Sequence, residues 1–127
     1  MKKIILLLAS LLSSSALFAE SVPAVSPQQA AQMQSEKNAV IIDVRENDEW
    51  NAGHIAGAIH IPLGEISNRV GELAKYQNQP VIMQCRSGAR SAKAADILTK
   101  AGFMNVHNME GGLNAWQKAD LKTIQAN

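Results

Sequence analysis

The chain is expected to fold as an α/β domain whose parallel sheet is covered by helices on both faces, and three observations carry that expectation. The runs Val40-Ile41-Ile42-Asp43-Val44 and Val81-Ile82-Met83-Gln84-Cys85 are largely apolar without alternation, the pattern of strands buried on both faces. Segments with apolar residues at helical spacing separate and follow them. Strands that alternate with helices pair in parallel, because each crossover helix returns the chain to the same end of the sheet. Such sheets place their chemistry beyond the carboxyl ends of the strands, and the second run delivers the only cysteine there.

At the start, Lys2-Lys3, the apolar run Ile4 to Leu12 and the small-residue site at Leu17-Phe18-Ala19 read as a secretory signal peptide over residues 1–19. Its apolar core is too short to span a bilayer. Cleavage after Ala19 leaves 127 − 19 = 108 residues, and losing two lysines takes the formal charge from +1 to −1. Ser14-Ser15-Ala16 offers a second small-residue site, so the bond itself stays open. Residues 20–127 are enough for one small domain, and a charge this close to zero gives no ground for a nucleic-acid partner. With no cysteine after the leader to take a lipid anchor, a soluble periplasmic protein is expected. A single cysteine in an oxidising compartment is either free and reactive or paired with another molecule.

Along the mature chain, the stretch up to Ser26 reads as a loose arm. Ser26-Pro27 then supplies an N-cap and a first-turn proline for a helix through about Glu36. The first strand follows at Val40 to Val44, and a weaker one at Ala58 to Ile61 is closed by Pro62. Leu63, Ile66, Val70 and Leu73 predict one amphipathic helix over 63–75, interrupted by Gly71. After the strand Val81 to Cys85, a helix starts near Ser91, carries Ala94, Ile97, Leu98 and Ala101 on one face, and stops at Gly102. A strand at Asn105 to Met109 and a helix from Gly111-Gly112 through about Lys118 complete the order.

The chemistry concentrates in Cys85-Arg86-Ser87-Gly88-Ala89-Arg90, a loop between a buried strand and a helix N-terminus. Backbone N–H groups and the positive end of the helix dipole both favour an anion there, and two guanidinium groups add charge that does not titrate near neutral pH. A free thiol is only ~3% ionised at pH 7, and lowering its pKa by two units takes about 2.7 kcal/mol. One guanidinium at about 4 Å is worth on the order of 4 kcal/mol at an effective dielectric near 20, so two arginines with the loop amides suffice. The alternative is a buried inert cysteine, but arginines beside it would be costly to bury.

Four stretches, Asp43-Val44-Arg45, Gly53-His54-Ile55-Ala56-Gly57-Ala58, Cys85 to Arg90, and Gly111-Gly112-Leu113-Asn114-Ala115-Trp116, together resemble the rhodanese family in its own order. With the leader and the single-domain length, the chain is most similar to the periplasmic phage-shock-type thiosulfate sulfurtransferases of that family. The resemblance implies a rhodanese-like five-stranded parallel sheet with helices on both faces, and neither a metal nor an organic cofactor. It implies that Cys85 is the nucleophile that becomes a persulfide. The amides of Arg86, Ser87, Gly88, Ala89 and Arg90 would hold the terminal sulfur, while Arg86 and Arg90 receive the anionic donor. The small-molecule partners so implied are thiosulfate as donor and a thiol or cyanide as acceptor; no oligomeric state follows. The charged loop is closer to that of thiosulfate users than to the uncharged loops of mercaptopyruvate users.

Asp43 and Arg45 read as structural hydrogen-bonding residues and Trp50 as packing. His54, His60 and His107 also read as structural, since none has a carboxylate or second histidine at ligand spacing. Two other functions compete. A cysteine phosphatase also sets a thiolate under an arginine-bearing loop, but its loop is a residue longer, making a wider cradle. A non-catalytic module that binds anions or a partner protein would have no use for the cysteine.

Overall fold

The structure, a computed structural model, describes residues 22–125. The expected leader and its cleavage site lie outside them. Five parallel strands form one sheet in the order β1-β5-β4-β2-β3: β1 is Ala24–Val25, β2 Val40–Asp43, β3 Ile59–His60, β4 Val81–Gln84 and β5 Val106–Met109. The helices are α1 (Pro27–Glu36), α2 (Asn47–Ala52), α3 (Leu63–Arg69), α4 (Ala89–Lys100) and α5 (Gly112–Lys118).

The unbroken apolar character of the central strands has its cause in the two cores they separate. Ile42, Val44, Val81 and Met83 point into one core with Ile66, Leu73, Ala94 and Leu98. Ile41 and Ile82 point the other way, onto Ala30, Leu113 and Trp116. Successive residues of a strand face opposite sides, so both parities must be apolar when both faces are covered.

Four local outcomes differ from the sequence reading. The arm before Ser26 is not loose: Ala24 and Val25 pair with Asn108 and Met109, and this edge strand is the fifth of the sheet. Two residues are too few to show a period, and Pro23 fits beside the edge because its missing N–H removes no ladder bond. The helix expected over 63–75 is α3 followed by a 3-10 segment, Val70–Tyr76. The tighter winding begins one residue before Gly71, whose backbone has the least to lose from leaving the α-helical path. The helix after the cysteine begins at Ala89, two residues before Ser91. Helix α2 was not foreseen, since at six residues it is shorter than two helical turns.

Chain direction fixes where a site belongs. From β2 the chain moves outward to β3, and from β4 it moves outward the other way to β5. Adjacent strands whose connections diverge leave a crevice beyond their carboxyl ends. Asp43 and Gln84 are register partners at that end, so the turns that follow them, toward α2 and α4, face each other across the crevice.

Candidate active site

Cys85 follows β4 directly and is 1% exposed. Its Sγ accepts hydrogen bonds from the Gly88 N–H at 3.0 Å and the Ser91 hydroxyl at 3.4 Å. Burial pushes the thiol up, but the Ser91 hydroxyl and the N–H groups of Ser91, Gly88 and Ser87 outweigh it and hold the pKa below its ordinary value. The sequence expectation rested the thiolate on the two arginines together with the loop amides. Hydrogen bonds from the loop and the first turn of α4 are its main support, and Ser91 was missed.

Gly88 makes the turn possible. Its φ of +114° lies in the left-handed region, where a side chain is strained, and its carbonyl accepts from Asn108 Nδ2 at 3.2 Å. The loop is backed by α5. The N–H of Leu113 donates to the Cys85 carbonyl at 2.8 Å, and that of Asn114 to the Arg86 carbonyl at 3.0 Å. Gln84 Nε2 also donates to the Cys85 carbonyl at 2.8 Å. A Cβ on Gly112 would lie 2.5 Å from the Arg86 carbonyl carbon and 2.6 Å from the Cys85 oxygen. The Gly111-Gly112-Leu113-Asn114 stretch is thus the rear wall of the loop, a role its spacing alone did not disclose.

The two loop arginines are not equivalent. Arg90 is held by Glu49 of α2 through two hydrogen bonds, Nη1 to Oε1 at 2.7 Å and Nη2 to Oε2 at 3.0 Å. The Arg90 bonds, opposed by burial and aided by the Glu46 N–H, lower the Glu49 pKa to about 2, and Arg90 is itself raised. Arg86 is exposed and has no hydrogen-bond or ion-pair partner among the described residues, whereas Arg45, Arg69 and Arg90 each face a carboxylate. Arg86 is exposed and Arg90 only half-buried, so the burial cost weighed from the sequence is small at the first and partial at the second. Glu49 was also missed; its one signal is Glu46-Asn47-Asp48-Glu49, an acidic residue three positions after another at a helix start.

Helix α2 is fastened at both ends. Arg45, 2% exposed, pairs with buried Asp43 at 2.7 Å and donates to the carbonyls of Glu49 at 3.3 Å and Gly53 at 2.8 Å. Trp50 lies between two imidazoles, 3.5 Å from the His54 ring and 4.8 Å from the His60 ring, nearly parallel to both. His54 Nδ1 donates to the Trp50 carbonyl at 2.9 Å and His60 Nε2 to the Arg45 carbonyl at 2.7 Å. These are structural bonds, as is that of His107 to Asn105 at 2.7 Å. No group of three His, Cys, Asp or Glu among the described residues is placed to hold a metal.

Between α2 and α5, a cleft of about 150 Å³ opens beside the loop, lined by Glu49, Gly53, Arg86, Leu113, Asn114 and Gln117. A larger hollow of about 480 Å³ at Ile59, Leu73 and Tyr76 contains none of the loop residues, so size does not mark the site here. Ser87 and Ala89 are exposed.

A hydrogen-bonded thiol in an amide-lined loop, at the switch point of a parallel α/β sheet, is a cysteine site whose donors favour the thiolate. The Rhodanese-like domain matches residues 26–119. The chain is 34% identical over 123 residues to the uncharacterized protein YibN of Escherichia coli K12, covering 96% of this chain and 86% of the relative. It is 34% identical over 101 residues to the thiosulfate sulfurtransferase GlpE of Pseudoalteromonas translucida, covering 80% of this chain and 94% of that one. A rhodanese-related protein from Thermoplasma volcanium superimposes with a TM-score of 0.74 at 25% identity, over 82% of this chain and 99% of that chain. The chain belongs to the rhodanese family. Membership together with a GlpE relative supports sulfur transfer in general, with small sulfur compounds as substrates.

Proposed function

We propose that the chain is a thiosulfate sulfurtransferase that carries sulfur as a Cys85 persulfide. The observation that carries this is the Cys85 Sγ itself, nearly inaccessible yet aimed into the loop and hydrogen-bonded by Gly88 and Ser91. A thiolate at the floor of a narrow loop is reached by a slim terminal atom, such as the outer sulfur of thiosulfate, more readily than by a phosphoryl group.

In the first half-reaction the Cys85 thiolate attacks that outer sulfur. A Cys85 S–S bond forms, the sulfur–sulfur bond of thiosulfate breaks, and sulfite leaves with the electron pair. In the second, cyanide or an acceptor thiolate attacks the terminal sulfur, leaving as thiocyanate or a persulfide and restoring the Cys85 thiolate. Neither half needs a proton transfer, which fits a site without a histidine base. Arg86 offsets the repulsion between an anionic nucleophile and a dianionic donor, and the loop amides from Arg86 to Arg90 stabilise the terminal sulfur in place of water.

Intact-protein mass measurement tests the reading. Thiosulfate without acceptor is expected to add the mass of one sulfur atom, cyanide to remove it, and Cys85→Ser to show neither the addition nor turnover. Turnover by wild-type protein with no sulfur-loaded form, or by the serine variant, would overturn it. An aryl phosphate is expected to remain unhydrolysed.

A further inference from the structure

We propose that Glu49 is a positioning and specificity residue, whose carboxylate cancels the charge of Arg90 and leaves Arg86 as the loop cation without a carboxylate partner among the described residues. This deepens the sulfurtransferase reading and rests on it. Three observations carry it. The pair is two-pronged, at 2.7 and 3.0 Å, and joins α2 to the catalytic loop across 41 residues of chain. Its carboxylate is also tethered from its own helix start, because Glu49 Oε1 accepts the Glu46 N–H at 3.0 Å. Arg86 has no such partner among the described residues and lines the cleft that Glu49 lines.

The surrounding charges do not undo this. Glu46 and Arg45 face the pair from the α2 side, and Cys85 faces Arg90 from within the loop. Helix α5 contributes only neutral Leu113, Asn114 and Gln117 to the cleft. The cradle therefore offers a dianionic donor one full positive charge plus backbone amides. That is a compromise in binding terms: two free cations would hold thiosulfate more tightly, but would hold departing sulfite more tightly as well. Interactions made equally with the donor and the transition state lower KM without raising kcat, and those that sulfite keeps slow its departure. Glu49 thus tunes the loop toward sulfite release.

The decisive variant is Glu49→Gln, which removes the charge and leaves Arg90 one acceptor oxygen in place of two. The expected result is a KM for thiosulfate lower by about two- to fivefold, with sulfite inhibition stronger by a similar factor and kcat reduced. Both effects should weaken as salt is raised. Combining it with Arg90→Gln should return KM toward the wild-type value, since the charge balance is restored. A Glu49→Gln protein whose KM rises or stays constant, or a double variant worse than either single one, would overturn the proposal and leave Glu49 a strut. A second readout needs no sulfur donor: the pH profile of Cys85 alkylation should move to lower pH in Glu49→Gln, and an unmoved or alkaline-shifted profile also overturns it. If that profile moves but no variant takes up sulfur from thiosulfate, the sulfurtransferase reading fails and the charge assignment stands. Should Glu49→Gln fold poorly, Glu49→Asp keeps the charge and is expected to keep the wild-type alkylation profile; an acid shift there contradicts the proposal.

Discussion

At the scale of the residue, the chemistry depends on how little water reaches Cys85 and how fully protein groups replace it. Removing a thiolate from water is unfavourable in itself, so every donor aimed at the sulfur counts more than it would on the surface. Ser91 is the side chain among those donors, at 3.4 Å from Sγ and fully buried. Ser91→Ala leaves the backbone donors in place and should raise the thiol pKa. A hydrogen bond to a charged group contributes about 1.5 kcal/mol or more, and the long contact to sulfur argues for the lower end. The rate of Cys85 alkylation at pH 7 is then expected to fall by roughly tenfold, with the fold unchanged by circular dichroism. A variant alkylated as fast as wild type would show that the loop amides alone carry the thiolate.

At the scale of the element, the loop owes its shape to a helix that follows it by more than twenty residues. Helix α5 sets two N–H groups on loop carbonyls, and only a glycine at 112 allows that approach, with φ at +59°. Gly112→Ala must strain a left-handed backbone at a cost of about 1–3 kcal/mol and also push the Arg86 carbonyl away. Activity should therefore fall further than stability does, with thermal melting and sulfur uptake measured on the same preparation. Equal losses in both would mean that the wall supports the core rather than the loop. The central strands were legible because burial on both faces leaves a continuous apolar run, and the cysteine loop because cations beside a lone thiol have few other uses. Helix α2 was not, because six residues held by Arg45, by the imidazole–indole stack and by Glu49 need no amphipathic stripe of their own. The inequality of Arg86 and Arg90 was hidden for the same reason: it is decided by a partner from a segment with no periodic signal.

At the scale of the whole molecule, the site is a junction between two strand-to-helix turns, and the Glu49–Arg90 pair closes it. That closure has a pH dependence. The folded protein holds Glu49 at a pKa of about 2 against an ordinary value of 4.5, chiefly through its bonds from Arg90. Between those values the unfolded chain binds the proton more readily, so stability rises with pH through this window. The contribution is complete above about pH 4.5 and is lost as the pH falls toward 2. Side chains 20% and 32% exposed are partly screened, which makes the effect modest. Glu72, exposed and also lowered by its bonds from Arg69, titrates in the same acid direction but equally in every Glu49 variant. Urea unfolding of wild type and Glu49→Gln, repeated across pH, therefore isolates the pair. The stability difference is expected to favour wild type at a constant value above about pH 5 and to shrink steadily below it. A difference independent of pH down to acid unfolding would mean that the glutamate acts by shape and hydrogen bonding alone, with its charge contributing nothing to the fold.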